Sequence, residues 1–480
     1  MHVFAERRAH RAEVTSATAS ARVAPLPDTA SPLMRHIYDA CVRVVAGGTV
    51  APEYLLTTRN RMHPKVLRGI SEVFAAQRAM IASANEEVLI QNFAYHHDSD
   101  GAKEISEGLK ELQARRQAEH PDGPPVVVRF LINQGRLTHP HSKRDLDREL
   151  DRLGLDPRFV KVETAAHVHH LFGVLHSKVV VVDRRKALMS GANLERFFSE
   201  PTEATGPSSR LAAVAQALRS PSTGEDGRAH GRLRAARQAL FPQGSGWFDA
   251  GYVFEGEIAE GLSSEFGGSW ELKSGEPLPP LATAPDHQTE GAGVPILLVT
   301  RPANGNVFGG DVHNPQDQAF LAAFRHAKKQ IRIVTPNLND ASVKRALLEA
   351  LMRGVEVQLV LSKGFNDGTE RFAGGTNEQV IAELRRELIA SGHGDKGHLL
   401  DARWYIAEGG DAPVEGRDDF ASHAKYCSVD GQVVFVGSAN MDGQAWLHSR
   451  ETNAVVDSAE HAQRCDHELF EPLFERAAPI

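Results

Sequence analysis

The sequence predicts an α/β protein made of two duplicated halves, each a mixed, largely parallel sheet covered by helices. Three observations lead there. A short motif, His176-x-Lys178-x4-Asp183, returns as His423-x-Lys425-x4-Asp430. Each copy sits on an apolar run that reads as a strand, and each is followed, 17 positions after its histidine, by an asparagine: Asn193 and Asn440. Such agreement in spacing points to internal duplication rather than chance. Finally, each copy is preceded by a strand, helix, strand pattern, the grammar of parallel strands joined by helical crossovers.

At 480 residues the chain is too long for one core, and two domains are expected. Residues 1–32 carry Arg7, Arg8, Arg11 and Arg22 without the apolar stretch of a secretory signal, so they read as a flexible tail. The first half is expected over 33–270. Its helix places Val66, Ile70, Val73 and Phe74 on one face, and its first clear strand is Val88 to Phe93. A helix through Ile105, Leu109 and Leu112 and a strand from Val126 to Ile132 follow. The continuous Val179 to Val182 run then fits the middle of a sheet. Residues 199–245, rich in Ser, Pro, Gly and Arg, form an insertion with helical candidates at 211–218 and 233–240. Tyr252 to Phe254 and a helix through Ile258, Leu262 and Phe266 close the half, and the Pro-rich 271–293 is the linker.

The second half, 294–480, repeats this order. A strand is expected at Ile296 to Val299, a helix at 319–329, and a strand at 331–337 that corresponds to the Val88 strand. A helix face of Val343, Ala346, Leu347, Ala350 and Leu351 ends at Gly354, ahead of a strand from Val355 to Leu361. Gln91 precedes His176 by 85 positions and Val334 precedes His423 by 89, so the whole unit is duplicated.

Several classes are excluded or disfavoured. No apolar run approaches the length of a bilayer span. Three distant cysteines, Cys41, Cys427 and Cys465, make neither a disulfide framework nor a zinc site, and Cys427 reads as a small buried residue. A net charge of -8 opposes broad nucleic-acid binding, so nucleic acid is not the expected partner. His167, His169 and His170 lack acidic or cysteine partners at ligand spacing and read as part of a polar loop before a Val174 strand.

Alternation along a strand puts the histidine and lysine of each motif on one face. Two such strands related by a pseudo-twofold axis bring two imidazoles and two ammonium groups to one pocket, which suits a phosphate. Lys178 and Lys425 stabilise the negative charge of a pentacoordinate transition state, and Asn193, Asn440 and Ser438 are the expected substrate contacts. With two histidines at one phosphorus, one attacks as neutral imidazole and the other carries the proton, through a phosphohistidine. Each needs an acceptor on its far ring nitrogen. Asp249 and Glu451, each downstream of a motif within its own half, are the candidates. Asp183 and Asp430 complete the motifs and are counted with the catalytic residues, their expected part being to brace a turn or the opposite half.

His176-x-Lys178-x4-Asp183 with Gly191-x-Asn193, and His423-x-Lys425-x4-Asp430 with Gly437-Ser438-x-Asn440, resemble the phospholipase D superfamily. Trp247-Phe248-Asp249 is similar to the Trp-His-Asp element after the first motif, with Phe248 in place of the histidine, and Ser449 to Asn453 is similar to the stretch after the second. The likeness runs from about Val88 to Asn453. It implies two α-β-α halves packed face to face around the pseudo-twofold axis, with the site at their interface and no metal or other cofactor. It also implies that His176 is the nucleophile and His423 the general acid and base. The expected function is therefore that of a phosphodiesterase or transphosphatidylase, cleaving a phospholipid headgroup ester at a membrane surface with water or an alcohol as acceptor, as in cardiolipin synthesis. A nuclease of the same fold and a silent phosphate- or membrane-binding scaffold are the alternatives. The expected location is the cytoplasm or a membrane periphery, with secretion by a signal-independent route left open.

Overall fold

A computed structural model describes residues 19–135, 142–169, 172–199, 245–285, 293–306, 313–365, 374–416 and 419–480. Two sheets carry the fold. In the first, the strand order is Asn60–Met62, Ala250–Gly256, Lys186–Ser190, Val179–Val182, Glu87–Asn92, Val126–Gly135, Val160–His169. In the second it is Leu56–Thr57, Ile296–Arg301, Glu451–Asp457, Val433–Gly437, Tyr426–Val429, Gln330–Thr335, Glu356–Leu361, Leu400–Trp404, Ala478–Pro479. Apart from the short end strands, the two orders correspond strand for strand. Gln91 lies opposite Val179 and Val334 opposite Tyr426, each three positions past its motif histidine, so the sequence intervals matched equivalent residues.

The sheets are mixed, as expected, but antiparallel pairing predominates. Parallel ladders join only Glu87–Asn92 to Val126–Gly135 to Val160–His169, and Gln330–Thr335 to Glu356–Leu361 to Leu400–Trp404. Each of these adjoining parallel pairs is linked by a helical crossover; from the motif strand onward the chain returns through a tight hairpin, which makes neighbours antiparallel. Asp183 opens one hairpin turn at φ 50 and Asp430 the other at φ 57, a left-handed conformation that aspartate tolerates better than most residues.

Alternation along the strands sorts the core into three layers. Val180 and Val182 face outward onto Phe74, Leu109 and Leu112 of helices Ile70–Ala82 and Asp100–Glu119. Val179 and Val181 face inward, into a central layer shared with Tyr426, Val434 and Val436 of the second sheet and with Ile258, Leu262 and Phe266 of helix Glu257–Ser274. On the far side, Ile331, Ile333 and Val357 meet helices Pro315–His326, Ala341–Met352 and Asn377–Ala390. Cys427 is buried in that last layer as a small core residue.

Two boundaries differ from the sequence reading. Helix Pro32–Val42, expected in the first half, buries Met34, Ile37 and Cys41 in the core of the second, and Leu56–Thr57 pairs with Ile296–Leu297. The chain thus begins on the second half and crosses near Asn60, whose backbone carbonyl accepts from Val294 N–H at 2.9 Å. Of the expected tail, Val23 and Leu26 pack on the same core, while 1–18 lie outside the described residues. The insertion and its two helical candidates also lie outside them, but its roots are tied: Gly246 N–H donates to Ser199 O at 2.7 Å and Trp247 N–H to Phe197 O at 3.0 Å. Val160–His169, expected as partly loop, is an edge strand, and Val174 lies in a coil beyond it.

Candidate active site

Each motif histidine precedes the laddered part of its strand, where the chain reaches across to the other half. Leu175 forms an isolated parallel bridge with Arg450, and Ser422 one with Phe248. In consequence His176 N–H donates to Arg450 O at 2.9 Å, and His423 N–H to Phe248 O at 2.8 Å. The residue after each acceptor is a carboxylate. Glu451 therefore lands behind His176, with Oε1 2.9 Å from Nδ1, and Asp249 behind His423, with Oδ2 3.0 Å from Nδ1. Both expected carboxylates serve the histidines, but crosswise rather than within their own halves. The pseudo-twofold axis makes the opening of each carboxylate strand face the opposite motif.

The two imidazoles stand 6.4 Å apart, nearly perpendicular. Lys178 and Lys425 reach the same space, each ammonium folded back onto the carbonyl of its own histidine. Lys425 Nζ also lies 3.0 Å from His423 Nε2. All of these groups are buried, and burial sets their proton affinities. Desolvation, followed by repulsion between the lysines, pulls Lys178 down to about 7. Desolvation brings Lys425 down to about 8 against the pull of Asp249 and Glu451. Desolvation pushes Asp249 up to about 6 and Glu451 up to about 8. Both histidines are held well below their ordinary value, first by burial and then by the ammonium groups, which favours neutral imidazoles.

The remaining expected residues divide. Asn193 and Asn440 are buried beside the pocket, but each donates Nδ2–H to a carboxylate two positions on, Glu195 at 2.7 Å and Asp442 at 2.9 Å. Glu195 and Asp442 were missed, although laying the two copies over each other shows an acid at the same offset in both. Ser438, expected to touch substrate, instead gives its hydroxyl to Glu451 and accepts from Thr452 N–H at 3.1 Å. Its counterpart is Gly191, where a Cβ would meet the Asp249 carboxylate at 2.5 Å. Asp183 and Asp430 lie at the far end of their strands, roughly 20 Å of extended chain from the histidines. Asp183 accepts from the N–H groups of Asn85, Glu86 and Glu87 at 2.8–2.9 Å, and Asp430 from Lys328, Lys329 and Gln330 at 2.8–3.0 Å. They pin each hairpin to the start of the neighbouring strand and take no part in the pocket.

The aromatic setting was also missed. Phe93 lies edge-on to His176 and under Lys178, whereas Phe198, Trp247 and Phe365 surround His423. Phe248 stacks on Tyr405. Among the expected histidine cluster, His167 Nε2 meets Gly173 O at 2.9 Å and His169 meets Asn133, while His170 is outside the described residues. No group of three potential metal ligands occurs among the described residues.

Residues 320–472, spanning the second motif and Glu451, match the family "Cardiolipin synthase, PLD-like domain". Cardiolipin synthase A of Erwinia tasmaniensis is 26% identical over 235 residues, 47% of this chain and 41% of that protein. A probable cardiolipin synthase of Bacillus subtilis is 24% identical over 241 residues, 49% of this chain and 41% of its own length. The chain thus matches about two fifths of the length of these curated relatives. Phosphatidylserine synthase of Haemophilus influenzae shares the fold, with a TM-score of 0.54 and 14% identity over 94% of this chain and 92% of that one.

Proposed function

We propose that the chain is a phospholipase D-type enzyme that transfers a phosphatidyl group from a phospholipid to water or an alcohol by two displacements at one phosphorus, a reading supported by the match of residues 320–472 to the cardiolipin synthase, PLD-like domain. The observation that carries this reading is the pair of crossed histidine–carboxylate couples around a shared pair of lysines. In the first step the free Nε2 of His176 forms a bond to phosphorus as the bond to the headgroup oxygen breaks, and His423 gives that oxygen its proton. In the second, water or an alcohol yields its proton to His423 as its oxygen bonds to phosphorus and the P–N bond breaks. The phosphodiester supplies the anionic charge that lets buried His423 hold a proton, and it draws the lysines onto its own oxygens, where they stabilise the transition state. His176 is the better placed to attack: its side chain is 12% exposed, against 7% for the aromatic-boxed His423. The lysines supply the charge that metal ions supply elsewhere, so turnover is expected to survive EDTA.

No helix among the described residues is long and apolar enough to cross a membrane. The test is incubation of the full chain, with EDTA, with phospholipid vesicles plus ethanol and separately with single- and double-stranded DNA. Phosphatidylethanol or released headgroup supports the reading. Cleaved DNA replaces it with a nuclease, and no product from any substrate leaves a phosphate-binding scaffold.

A further inference from the structure

The His176 couple has a third member on the page. In the antiparallel ladder between Ile296–Arg301 and Glu451–Asp457, Arg301 is the direct cross-strand partner of Glu451. Cross-strand partners share a face of the sheet, with Cβ atoms about 5 Å apart. Arg301 is 2% exposed and Glu451 is fully buried, so little water screens the pair. The guanidinium is fixed rather than mobile. Its Nη1 donates to Ser449 O at 3.2 Å, and its Nε stands 3.6 Å from Oδ2 of buried Asp317. Asp317 is in turn held by Asn314 Nδ2 at 2.7 Å and Gln316 Nε2 at 3.2 Å. Gln316 accepts from Asn453 at 2.8 Å, and Asn453 accepts from Ala439 N–H at 3.1 Å, in the turn that carries Ser438 and Asn440.

The other couple has no such backing. The residue hydrogen-bonded to the Asp249 carbonyl at 2.8 Å is Gly69, which presents no side chain at all. Among the described residues, Glu451 therefore has an arginine as its cross-strand partner, whereas Asp249 has only the pocket lysines as nearby cations.

We propose that Arg301, braced by Asp317, is a positioning residue for the Glu451–His176 couple: its charge opposes protonation of Glu451 and so favours the His176 tautomer with Nδ1 protonated and Nε2 free to attack. If Glu451 takes a proton, it donates to Nδ1, and the neutral imidazole must then carry its hydrogen on Nε2, the atom that has to reach phosphorus. The groups that face Glu451 are His176, Lys178, Lys425, Ser438 and Arg301; those that face Arg301 are Asp317 and His448, and Asp340 faces Asp317. Burial drives Glu451 toward the protonated form, so each cation that opposes it matters. Lys178 and Lys425 are spent on the substrate phosphate once it binds, and Arg301 alone of the three stays behind the carboxylate through the reaction. The inference rests on the function proposed above for its consequence, but its primary readout needs no substrate.

The test uses the full chain labelled with 15N-histidine, with His176 assigned by subtracting the spectrum of His176→Gln. At pH 9, above the value of about 8 to which burial pushes Glu451, the wild type is expected to show His176 as the Nδ1–H tautomer. Arg301→Gln is expected to move it toward Nε2–H and to raise the acid limb of kcat/KM by about one pH unit, with KM little changed. Asp317→Asn removes the counter-charge instead. Because burial pushes Asp317 up to about 7, it is a carboxylate at pH 9, and its loss leaves Arg301 acting on Glu451 alone. The acid limb should then fall, the opposite direction. A merely structural role predicts loss of activity at every pH with no change of tautomer. An unmoved tautomer in Arg301→Gln, or an upward limb shift in Asp317→Asn, overturns the proposal, and the second variant keeps it testable should the first fail to fold. If wild type turns over no phospholipid, the proposed function fails while the tautomer measurement still decides this inference.

Discussion

The two halves share a backbone and differ in chemistry. Strand order, hairpin turns, motif spacing and the bridge before each histidine correspond one to one. Around that common frame His176 has a glutamate behind it, backed by the Ser438 hydroxyl and Arg301, and a single phenylalanine beside it. His423 has an aspartate behind it, pressed on Gly191, and three aromatic rings around it. Duplication alone gives two equivalent bases; the proposed double displacement needs one nucleophile and one proton carrier, and on that proposal the side chains around the frame make the distinction.

Replacing the histidines should break the comparison most sharply. His176→Ala and His423→Ala are each expected to lower kcat by about 10³-fold or more. They should differ in what accumulates: His423→Ala, given a lipid with a good leaving group, builds up a phosphatidyl adduct on His176, whereas His176→Ala forms none. Mass spectrometry of quenched protein reads this directly, and an adduct on His423 in the wild type would reverse the roles assigned to the two halves.

The carboxylates come next, at about 10²- to 10⁴-fold in kcat for Glu451→Gln and Asp249→Asn, by analogy with the loss of a tautomer-fixing carboxylate. Because the couples are crossed, Asp249→Asn should impair proton delivery by His423 and so be largely rescued by a p-nitrophenol leaving group. Glu451→Gln should not be rescued. Equal rescue of both would mean that the crossed contacts do not divide the labour.

The lysines are where the halves act together. Lys178 titrates at about 7 and Lys425 at about 8 because burial disfavours both ammonium groups and, for Lys178, its partner repels it further. Depressed bases are charged below these values and lose the charge as pH rises through them. The kcat/KM profile should therefore fall on its alkaline side between about pH 7 and 8, and the kcat limb should lie higher, since bound phosphate stabilises the ammonium form. Lys425→Met should lower kcat by about 10²- to 10³-fold and move the remaining alkaline limb upward, as Lys178 loses its repelling neighbour. A limb that stays in place would separate the two lysines electrostatically.

How much of this was legible depended on whether a feature repeats along the chain or arises across it. The paired His-x-Lys motifs, the Gln91 and Val334 intervals, and both carboxylates were readable because duplication writes them twice. The crossing of the couples was not, since it depends on bridges between Leu175 and Arg450 and between Ser422 and Phe248, residues 275 and 174 positions apart. Sequence pattern carries no such long-range register. The preference for parallel sheets failed because the Asp183-Arg184 turn has no glycine to announce it, while the Asp430-Gly431 signal of the second half was passed over. Helix Pro32–Val42 was misplaced for a related reason: an amphipathic stripe says that it must be buried, not against which sheet.

The smallest effect on activity is expected where the motif looks most complete. Asp183 and Asp430 belong to the repeated pattern as firmly as the lysines, yet each satisfies three backbone N–H groups at the foot of a strand and nothing in the pocket. Asp183→Ala and Asp430→Ala should each cost about 1–3 kcal/mol of stability, through orphaned donors and a left-handed turn position that alanine tolerates poorly. Asparagine, which suits the turn and retains one acceptor oxygen, should cost less. Activity per folded molecule should stay near wild type in all four variants, as measured by denaturant titration beside single-turnover rates. If Asp183→Ala lowered the single-turnover rate while the protein remained folded, hairpin anchoring would reach the histidine through the strand, and the division between a structural end and a chemical end of the motif would not hold.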